Sequence, residues 1–195
     1  MKLKVYKATS TLDGYLPELL YTDEKTKAEI VLIGGKPINL DEFPRLRGIF
    51  KTGVGTDNLP FVEAERRSVK IGLPTESTSS LIFEETAAYA CHLILASVYA
   101  GCGEWEIWRK VDRPQLEQRC LLVVGAGRIG QRVIDKMKAF MRVDSFDTAR
   151  HSWAMFETKV RAADCISLHV PLTPETYNLF DAERLSWMKD DSALV

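Results

Sequence analysis

The sequence LLVVGAGRIG occupies residues 121–130 and joins a short apolar run to glycines in the spacing Gly-x-Gly-x-x-Gly. The apolar run predicts a buried strand, and the pattern over residues 131–140 predicts a helix directly after it. In this context Gly125 permits the tight turn, Gly127 lets the backbone approach a diphosphate, and Gly130 lets the helix pack on the strand. The start of such a helix offers free N–H groups to phosphates. The stretch therefore predicts a dinucleotide-binding turn, whereas the glycines alone would also suit an ordinary tight turn.

An acidic residue supports the nucleotide interpretation. Residues 142–146 predict the next strand, and Asp147 closes it 22 positions after Gly125, near the spacing of roughly 20 expected of the acid that binds a ribose. A carboxylate there accepts hydrogen bonds from the adenosine hydroxyls and repels a 2′-phosphate, which favours NAD over NADP. Arg150 softens this preference because it offers a phosphate a partner. The alternative for Asp147 is a solvated residue at a strand end. The absence of Gly-Lys-Ser/Thr after the glycines excludes a nucleoside-triphosphate P-loop.

Composition limits the class of protein. The chain has 195 residues, and its 26 Lys and Arg against 27 Asp and Glu give a formal net charge of −1. It therefore lacks the basic excess typical of a nucleic-acid binder, and no nucleic-acid partner is expected. Hydrophobic residues make up 46% and charged residues 27%, so we expect a globular chain with a sizeable core. Its length suits one domain or two small ones.

Short runs rich in Val and Ile alternate with helical patterns, which predicts an α/β fold with a parallel sheet. In the first part of the chain, strands are expected at residues 1–7, 28–34, 46–52 and 70–73. A helix is expected from about Leu59, with Pro60 suited to its first position. Either Asp57 or Asn58 is expected to cap that helix.

The middle of the chain predicts a division. Residues 74–80 are polar and turn-rich, and they predict a linker. Residues 84–99 predict a long helix whose small and apolar side chains lie almost all round it, as expected of a hinge helix buried between two bodies. Residues 101–118 carry Trp105 and Trp108 among charged residues and predict an irregular arm. A second unit is expected to open at Cys120.

Other sequence signals bear on location and metals. The lysines interleaved through residues 1–7 do not suit a signal peptide. The longest mostly apolar segment, residues 86–100, contains His92 and falls short of the roughly 20 apolar residues of a membrane span, so none is expected. The four cysteines form no Cys-x-x-Cys pair and lie in apolar runs, which favours a reducing cytoplasm. None of the three histidines has metal-ligand spacing, so no metal site is expected.

Three stretches together resemble the D-isomer-specific 2-hydroxyacid dehydrogenases, most closely the D-3-phosphoglycerate dehydrogenase branch. They are KTGVGTDN at 51–58, VGAGRIGQ at 124–131 and ADCISLHVPLTPET at 163–176, and LSWMK at 185–189 and ALV at 193–195 extend the likeness. The resemblance implies an incomplete Rossmann-type parallel sheet plus a small flavodoxin-like α/β substrate domain. Residues 1–80 would be part of the substrate domain, 81–118 the hinge helix and arm, and 119–195 part of the NAD-binding domain.

The resemblance also implies site residues. Backbone N–H groups of Gly53, Val54 and Gly55 would clamp a substrate carboxylate, although a plain tight turn suits them equally. On the cofactor side, the backbone of Arg128 and Ile129 would contact the pyrophosphate, and Thr86 would lie near the nicotinamide. The loop bordering the adenine side of NAD would comprise His169, Val170, Pro171 and Thr173. The alternative for His169 is a strand-end histidine bonded to the backbone.

The family transfers hydride between NAD and a 2-hydroxy or 2-keto acid, and it implies a homodimer in which the arm with Trp105 and Trp108 packs on a partner. Plain burial of these aromatic residues is the alternative. The family's catalytic arginine, glutamate and histidine would follow Val195, so no catalytic residue is expected in these 195 residues, and turnover by them alone is not expected. Residues 147–163 leave little room for a strand that the family has there. An inactive NAD-binding or protein-interaction module is therefore the competing hypothesis, and a DNA-linked corepressor is a weaker one.

Overall fold

The structure is a computed structural model that describes residues 3–14, 21–99 and 115–195. It divides into two compact units, Met1–Ile82 and Phe83–Val195. Trp105, Trp108 and the predicted arm around them lie outside the described residues, apart from the last few residues before the second sheet.

The first unit contains a parallel sheet in the order β1-β2-β3-β4. Its strands are β1 (Val5–Ala8), β2 (Ile30–Ile33), β3 (Gly48–Lys51) and β4 (Lys70–Gly72), each within or close to a predicted segment. Short 3₁₀ helices at Lys25–Lys27 and Leu40–Glu42 lie between the strands. Val31 and Ile49 are paired neighbours in the sheet, and both are buried in the core of this unit. Such apolar central strands account for a stable small sheet.

The prediction that Asp57 or Asn58 caps the first α-helix is wrong. Helix α1 covers Phe61–Arg66, and Pro60 precedes it without a side-chain cap. The amide of Asn58 instead donates to the carbonyl oxygens of Gly34 (2.9 Å) and Lys36 (2.8 Å). The side chain of Asn58 therefore makes a tertiary contact instead of the helix cap that the local sequence pattern predicted.

The predicted linker at residues 74–80 is also wrong in most of its length, because helix α2 covers Glu76–Val98. The backbone N–H of Thr78 donates to Oγ1 of Thr75 (3.3 Å), and the N–H of Ser79 donates to the carbonyl oxygen of Thr75 (2.8 Å). Thr75 therefore acts as the N-cap of α2. The same residue types serve turns and helix starts, which explains the wrong expectation.

Helix α2 buries one face rather than its whole circumference. The buried residues recur at helical spacing and are Phe83, Ala87, Ala90, Ile94 and Val98. Tyr89 is 64% exposed on another side of the helix, which corrects the expectation of burial all round. By length and composition α2 would also pass as a membrane span, and it is longer than the apolar segment predicted. Core helices of soluble proteins meet the same criterion, and the buried face of α2 belongs to the core of the second unit.

The second unit contains a parallel sheet in the order β6-β5-β7-β8. Its strands are β5 (Cys120–Val124), β6 (Arg142–Phe146), β7 (Cys165–Leu168) and β8 (Ala193–Leu194). Its other helices are α3 (Arg128–Met137), α4 (Phe156–Ala162) and α5 (Ala182–Leu185), with 3₁₀ turns at Leu116–Gln118 and Trp153–Met155. Helix α3 starts and ends three residues earlier than the predicted segment.

Both faces of this second sheet are covered. Leu121 and Val123 of β5 belong to the core cluster that includes α2 and α3. Leu122 and Val124 belong to the opposite cluster, which includes α4. All residues between β6 and β7 are described, and they form one 3₁₀ turn and α4 without a strand. The α/β class and the Rossmann-type sheet are thus confirmed.

Candidate functional site

The order β6-β5-β7 places a crevice at the carboxyl end of β5. The chain leaves β5 at Gly125, leaves β6 at Asp147 and leaves β7 at His169, and these three ends are neighbours in the sheet. In open parallel sheets, ligands bind where neighbouring connections run to opposite sides. The topology therefore places the predicted nucleotide residues at the expected position.

Gly125 is required at its position for two reasons. Its φ of +93° lies in the left-handed region, which disfavours other residues. A Cβ atom there would also lie 2.7 Å from the carbonyl oxygen of His169, which is too close for a real contact. The backbone N–H of Gly125 donates to the carbonyl oxygen of Phe146 (2.7 Å), which ties the turn to β6.

The other two glycines of the motif have different surroundings. Gly127 precedes α3 and supplies no side-chain cap, and a Cβ atom there would meet nothing within 4 Å. A Cβ atom on Gly130 would overlap the carbonyl oxygen of Gly125. Gly127 thus borders open space at a helix N-terminus of the kind that binds phosphate, while Gly130 allows close packing.

Asp147 is fixed by the turn that it faces. Its Oδ2 accepts a hydrogen bond from the N–H of Ala126 (2.9 Å), and its Oδ1 accepts one from the N–H of Ala149 (2.9 Å). These hydrogen bonds, that from Ala149 first, lower the pKa of Asp147 below its ordinary value. Each carboxylate oxygen has further acceptor capacity. A charged, oriented carboxylate of this kind suits a pair of ribose hydroxyls.

The side chain of His169 is directed to a neighbouring side chain. Its Nε2 lies 2.9 Å from Oγ of the fully buried Ser167, and its backbone N–H donates to the carbonyl oxygen of Val124 (2.8 Å). Burial lowers the pKa of His169, which favours the neutral form of the imidazole. It also lines the crevice, and the ring bonds to a side chain rather than to the backbone that the alternative assumed; contact with a cofactor stays a prediction.

A cavity of about 480 Å³ unites much of the predicted site. The predicted residues that line it are Gly125, Gly127, Asp147, His169, Val170, Pro171 and Thr173. Sequence reasoning missed six of the other lining residues, namely Phe146, Thr148, Trp153, Glu175, Thr176 and Leu179. Phe146 and Thr148 adjoin Asp147, and Glu175 and Thr176 end the stretch 163–176 that carries the family resemblance, so these positions were the sequence signals available for four of them. An open glycine backbone, an acid and a cavity of this size fit the adenosine and diphosphate of NAD.

Four predicted cofactor residues do not line this cavity. Ile129 and Gly130 lie in the first turn of α3, and Thr86 lies on an exposed side of α2. The guanidinium of Arg128 lies 5.3 Å from the ring centroid of Phe83. Among the described parts of the chain, no group of His, Cys, Asp or Glu is arranged to hold a metal ion.

The predicted carboxylate loop, residues 53–55, lies in the first unit and follows β3. The ammonium of Lys51, which is only 4% exposed, donates to the carbonyl oxygen of Gly34 (2.6 Å) and to Oδ1 of Asn58 (2.6 Å). Lys51 and Asn58 therefore connect the two ends of the loop to the segment after β2. Neither role was found from the sequence, because both depend on contacts between separate loops.

Comparison with known proteins identifies the family. Residues 88–195, more than half of the chain, match the family model described as D-isomer specific 2-hydroxyacid dehydrogenase, NAD binding domain. The chain belongs to this family. The glyoxylate reductase of Thermococcus litoralis is 31% identical to it over 80% of this chain and 53% of that protein. The hydroxypyruvate reductase of Thermotoga maritima is 30% identical over 77% of this chain and 52% of that protein.

Solved structures share the fold of this chain. The TT0316 protein from Thermus thermophilus has a TM-score of 0.73 and 27% identity, over 98% of this chain and 72% of that one. D-Lactate dehydrogenase from Aquifex aeolicus, complexed with NAD and lactic acid, shares the fold with a TM-score of 0.67 and 23% identity, over 98% of this chain and 67% of that one. The chain spans about half the length of the curated relatives it matches.

Proposed function

We propose that this chain supplies the NAD site and the substrate-carboxylate loop of an oxidoreductase that transfers hydride between NAD and a small 2-hydroxy or 2-keto acid. One observation carries the proposal: Gly125, Gly127 and Asp147 line a single cavity at the carboxyl end of β5 and β6. The family match over the same residues supports it.

The residues of the chain bind and orient, and the nicotinamide of bound NAD gives or takes the hydride. The backbone around Gly127 and the first turn of α3 would hold the diphosphate. Asp147 would accept the ribose hydroxyls, and the loop at residues 53–55 would donate its N–H groups to a carboxylate. Membership of the family supports these roles, and two observations support those of Gly127 and Asp147, namely the open space at Gly127 and the hydrogen bond that orients Asp147.

The substrate that we propose is a short 2-keto acid such as glyoxylate or hydroxypyruvate. Relatives that carry these two names support this class over the phosphorylated substrate of D-3-phosphoglycerate dehydrogenase, the branch that the sequence most closely resembles. The discriminating experiment adds glyoxylate, hydroxypyruvate or 3-phosphoglycerate and follows the backbone amides of residues 53–55 by nuclear magnetic resonance. If 3-phosphoglycerate caused saturable shifts and neither glyoxylate nor hydroxypyruvate did, the proposed substrate class would be wrong.

Calorimetry with NAD tests the core of the proposal. Saturable binding by the unchanged chain is expected, and Gly127→Val should abolish it because its side chain would fill the open space beside α3. Gly127 has an ordinary φ of −76°, so this variant should keep the fold. Failure of the unchanged chain to bind NAD would refute the proposal. Turnover by these 195 residues alone is not expected, so an assay of NADH oxidation with glyoxylate discriminates in one direction: activity would exclude the alternative, a module that binds NAD without turnover.

A homodimer is a second part of the proposal. Tyr89 is 64% and Leu93 is 37% exposed on one side of α2, and a partner of the same sequence would cover them. Exposed apolar surface of this kind is typical of contact sites. Sedimentation equilibrium tests this point, since Tyr89→Lys should convert a dimer to a monomer. A monomeric unchanged chain would contradict it.

A further inference from the structure

One wall of the nucleotide cavity contains an indole that the sequence did not suggest. Trp153 begins the short 3₁₀ helix that follows β6, and it lines the same cavity as Gly125 and Asp147. It is 46% exposed, so part of its ring is accessible to a ligand.

The ring of Trp153 is held in place from several sides. The ring of Phe146 lies 5.1 Å from it, centroid to centroid, and that of Phe156 lies 5.3 Å away with its plane at 83°. Both phenylalanines are almost completely buried. The guanidinium of Arg184 lies 5.7 Å from the indole centroid. A ring that is already ordered loses little conformational entropy when a ligand covers it.

The residues that share the cavity with Trp153 indicate which part of NAD it would meet. The turn at Gly125 and Gly127 would take the diphosphate, and Asp147 would take the adenosine ribose. The apolar side chains of Val170, Pro171 and Leu179 line the same cavity as Trp153. A cavity with apolar and aromatic lining residues beside these two groups suits a purine base.

We infer that Trp153 is the stacking platform for the adenine ring of the bound dinucleotide. The inference rests on the proposed function, because it requires that NAD occupies this cavity. Stacking of a base on an aromatic side chain depends on the area and polarisability of the ring, so phenylalanine should retain part of the effect and an aliphatic residue little.

The experiment compares variants of the whole chain by calorimetry with NAD and with ADP-ribose, which has the adenosine half but no nicotinamide. Trp153→Ala should raise the Kd for NAD and the Kd for ADP-ribose by the same factor, about 5- to 100-fold. Trp153→Phe should lie between Trp153→Ala and the unchanged chain. In the unchanged chain, NAD should quench tryptophan fluorescence, and Trp153→Phe should remove most of that quenching.

Trp187 provides the matched control. Its ring packs on Phe156 with centroids 6.4 Å apart, so it belongs to the same aromatic cluster but is not among the residues lining the cavity. Trp187→Phe should leave the Kd for NAD within about twofold. If circular dichroism shows that the Trp153→Ala chain does not fold, Trp153→Phe and Trp153→Leu replace it. The stacking role then requires that the Trp153→Phe chain binds NAD more tightly than the Trp153→Leu chain.

The outcomes of this experiment test the stacking role of Trp153 separately from the proposed function. If the unchanged chain binds NAD and the Trp153 variants bind it equally well, the stacking role is wrong and the proposed function stands. An equal loss of NAD affinity in Trp187→Phe would also overturn the stacking role, because packing of the aromatic cluster would then explain the effect. If the unchanged chain binds neither NAD nor ADP-ribose, both the proposed function and the stacking role are wrong.

Discussion

Gly130 in the first turn of α3 lies so close to Gly125 that a Cβ atom on Gly130 would overlap the carbonyl oxygen of Gly125. The obstacle is backbone, which cannot move aside as the end of a flexible side chain can. The third glycine of the motif is therefore a packing residue, whereas Gly127 has open space around it, where the proposed ligand would lie.

Gly130→Ala should lower the free energy of unfolding of the second unit by about 1–3 kcal/mol or more, as overpacking of a close contact does. Chemical denaturation followed by circular dichroism measures this change. Gly127→Ala is the matched control and should leave stability within about 0.5 kcal/mol, because its Cβ meets no atom. Equal stability of the two variants would contradict the packing role of Gly130.

Asp147 should set the preference for NAD over NADP. Its carboxylate, charged and held by the N–H groups of Ala126 and Ala149, would repel a 2′-phosphate. We expect the unchanged chain to bind NAD at least about tenfold more tightly than NADP, and Asp147→Ser to narrow that ratio. Calorimetry with both cofactors measures it. If Asp147→Ser left the ratio of the NAD and NADP affinities unchanged, Asp147 would not be the residue that binds the ribose.

The stability of the chain should depend on pH through the same carboxyl group. The pKa of Asp147 is lowered in the folded chain, mainly by the N–H groups of Ala149 and Ala126, so the folded chain favours the charged form. The resulting stabilisation is present above the unfolded pKa of about 4 and is lost as pH falls through the lower folded value.

Comparison with Asp147→Asn isolates this contribution from those of other carboxyl groups. The unchanged chain should be the more stable of the two near neutral pH, and the difference should shrink steadily below about pH 4. Urea denaturation at a series of pH values measures the difference. A difference that stays constant down to low pH would show that these hydrogen bonds do not favour the charged carboxylate.

Local pattern predicted the nucleotide turn well, because the requirements of Gly125, Gly127 and Gly130 arise within one strand-turn-helix unit. The spacing to Asp147 was equally informative, since one parallel strand follows another at a fixed interval. The wall formed by Trp153 could not be predicted, because it depends on how α4 and its aromatic neighbours pack on β6. The start of α2 was missed because Thr75 caps a helix in a stretch whose composition equally suits a turn.

Asn58 shows the same limit in the first unit, and its substitution tests the resulting structure. Its amide accepts from Lys51 and donates to the carbonyl oxygens of Gly34 and Lys36, so it connects the loop after β2 to the loop after β3. Asn58→Ala would leave the buried ammonium of Lys51 with one acceptor fewer. The free energy of unfolding of the first unit should fall by about 1–3 kcal/mol, as for an unsatisfied buried polar group.

The exposed neighbour Asp57 gives the control for this last prediction, since Asp57→Ala should change stability by no more than about 0.5 kcal/mol. Hydrogen exchange of the backbone amide of Thr52, which donates to the carbonyl oxygen of Ile33 (2.9 Å) where the loop begins, gives a second measurement. It should accelerate in Asn58→Ala, because the loop that would hold a substrate carboxylate loses its connection to the neighbouring segment, and it should be unchanged in Asp57→Ala. If Asn58 were a helix cap instead, faster exchange would be confined to the first turn of α1, and the amide of Thr52 would keep its protection.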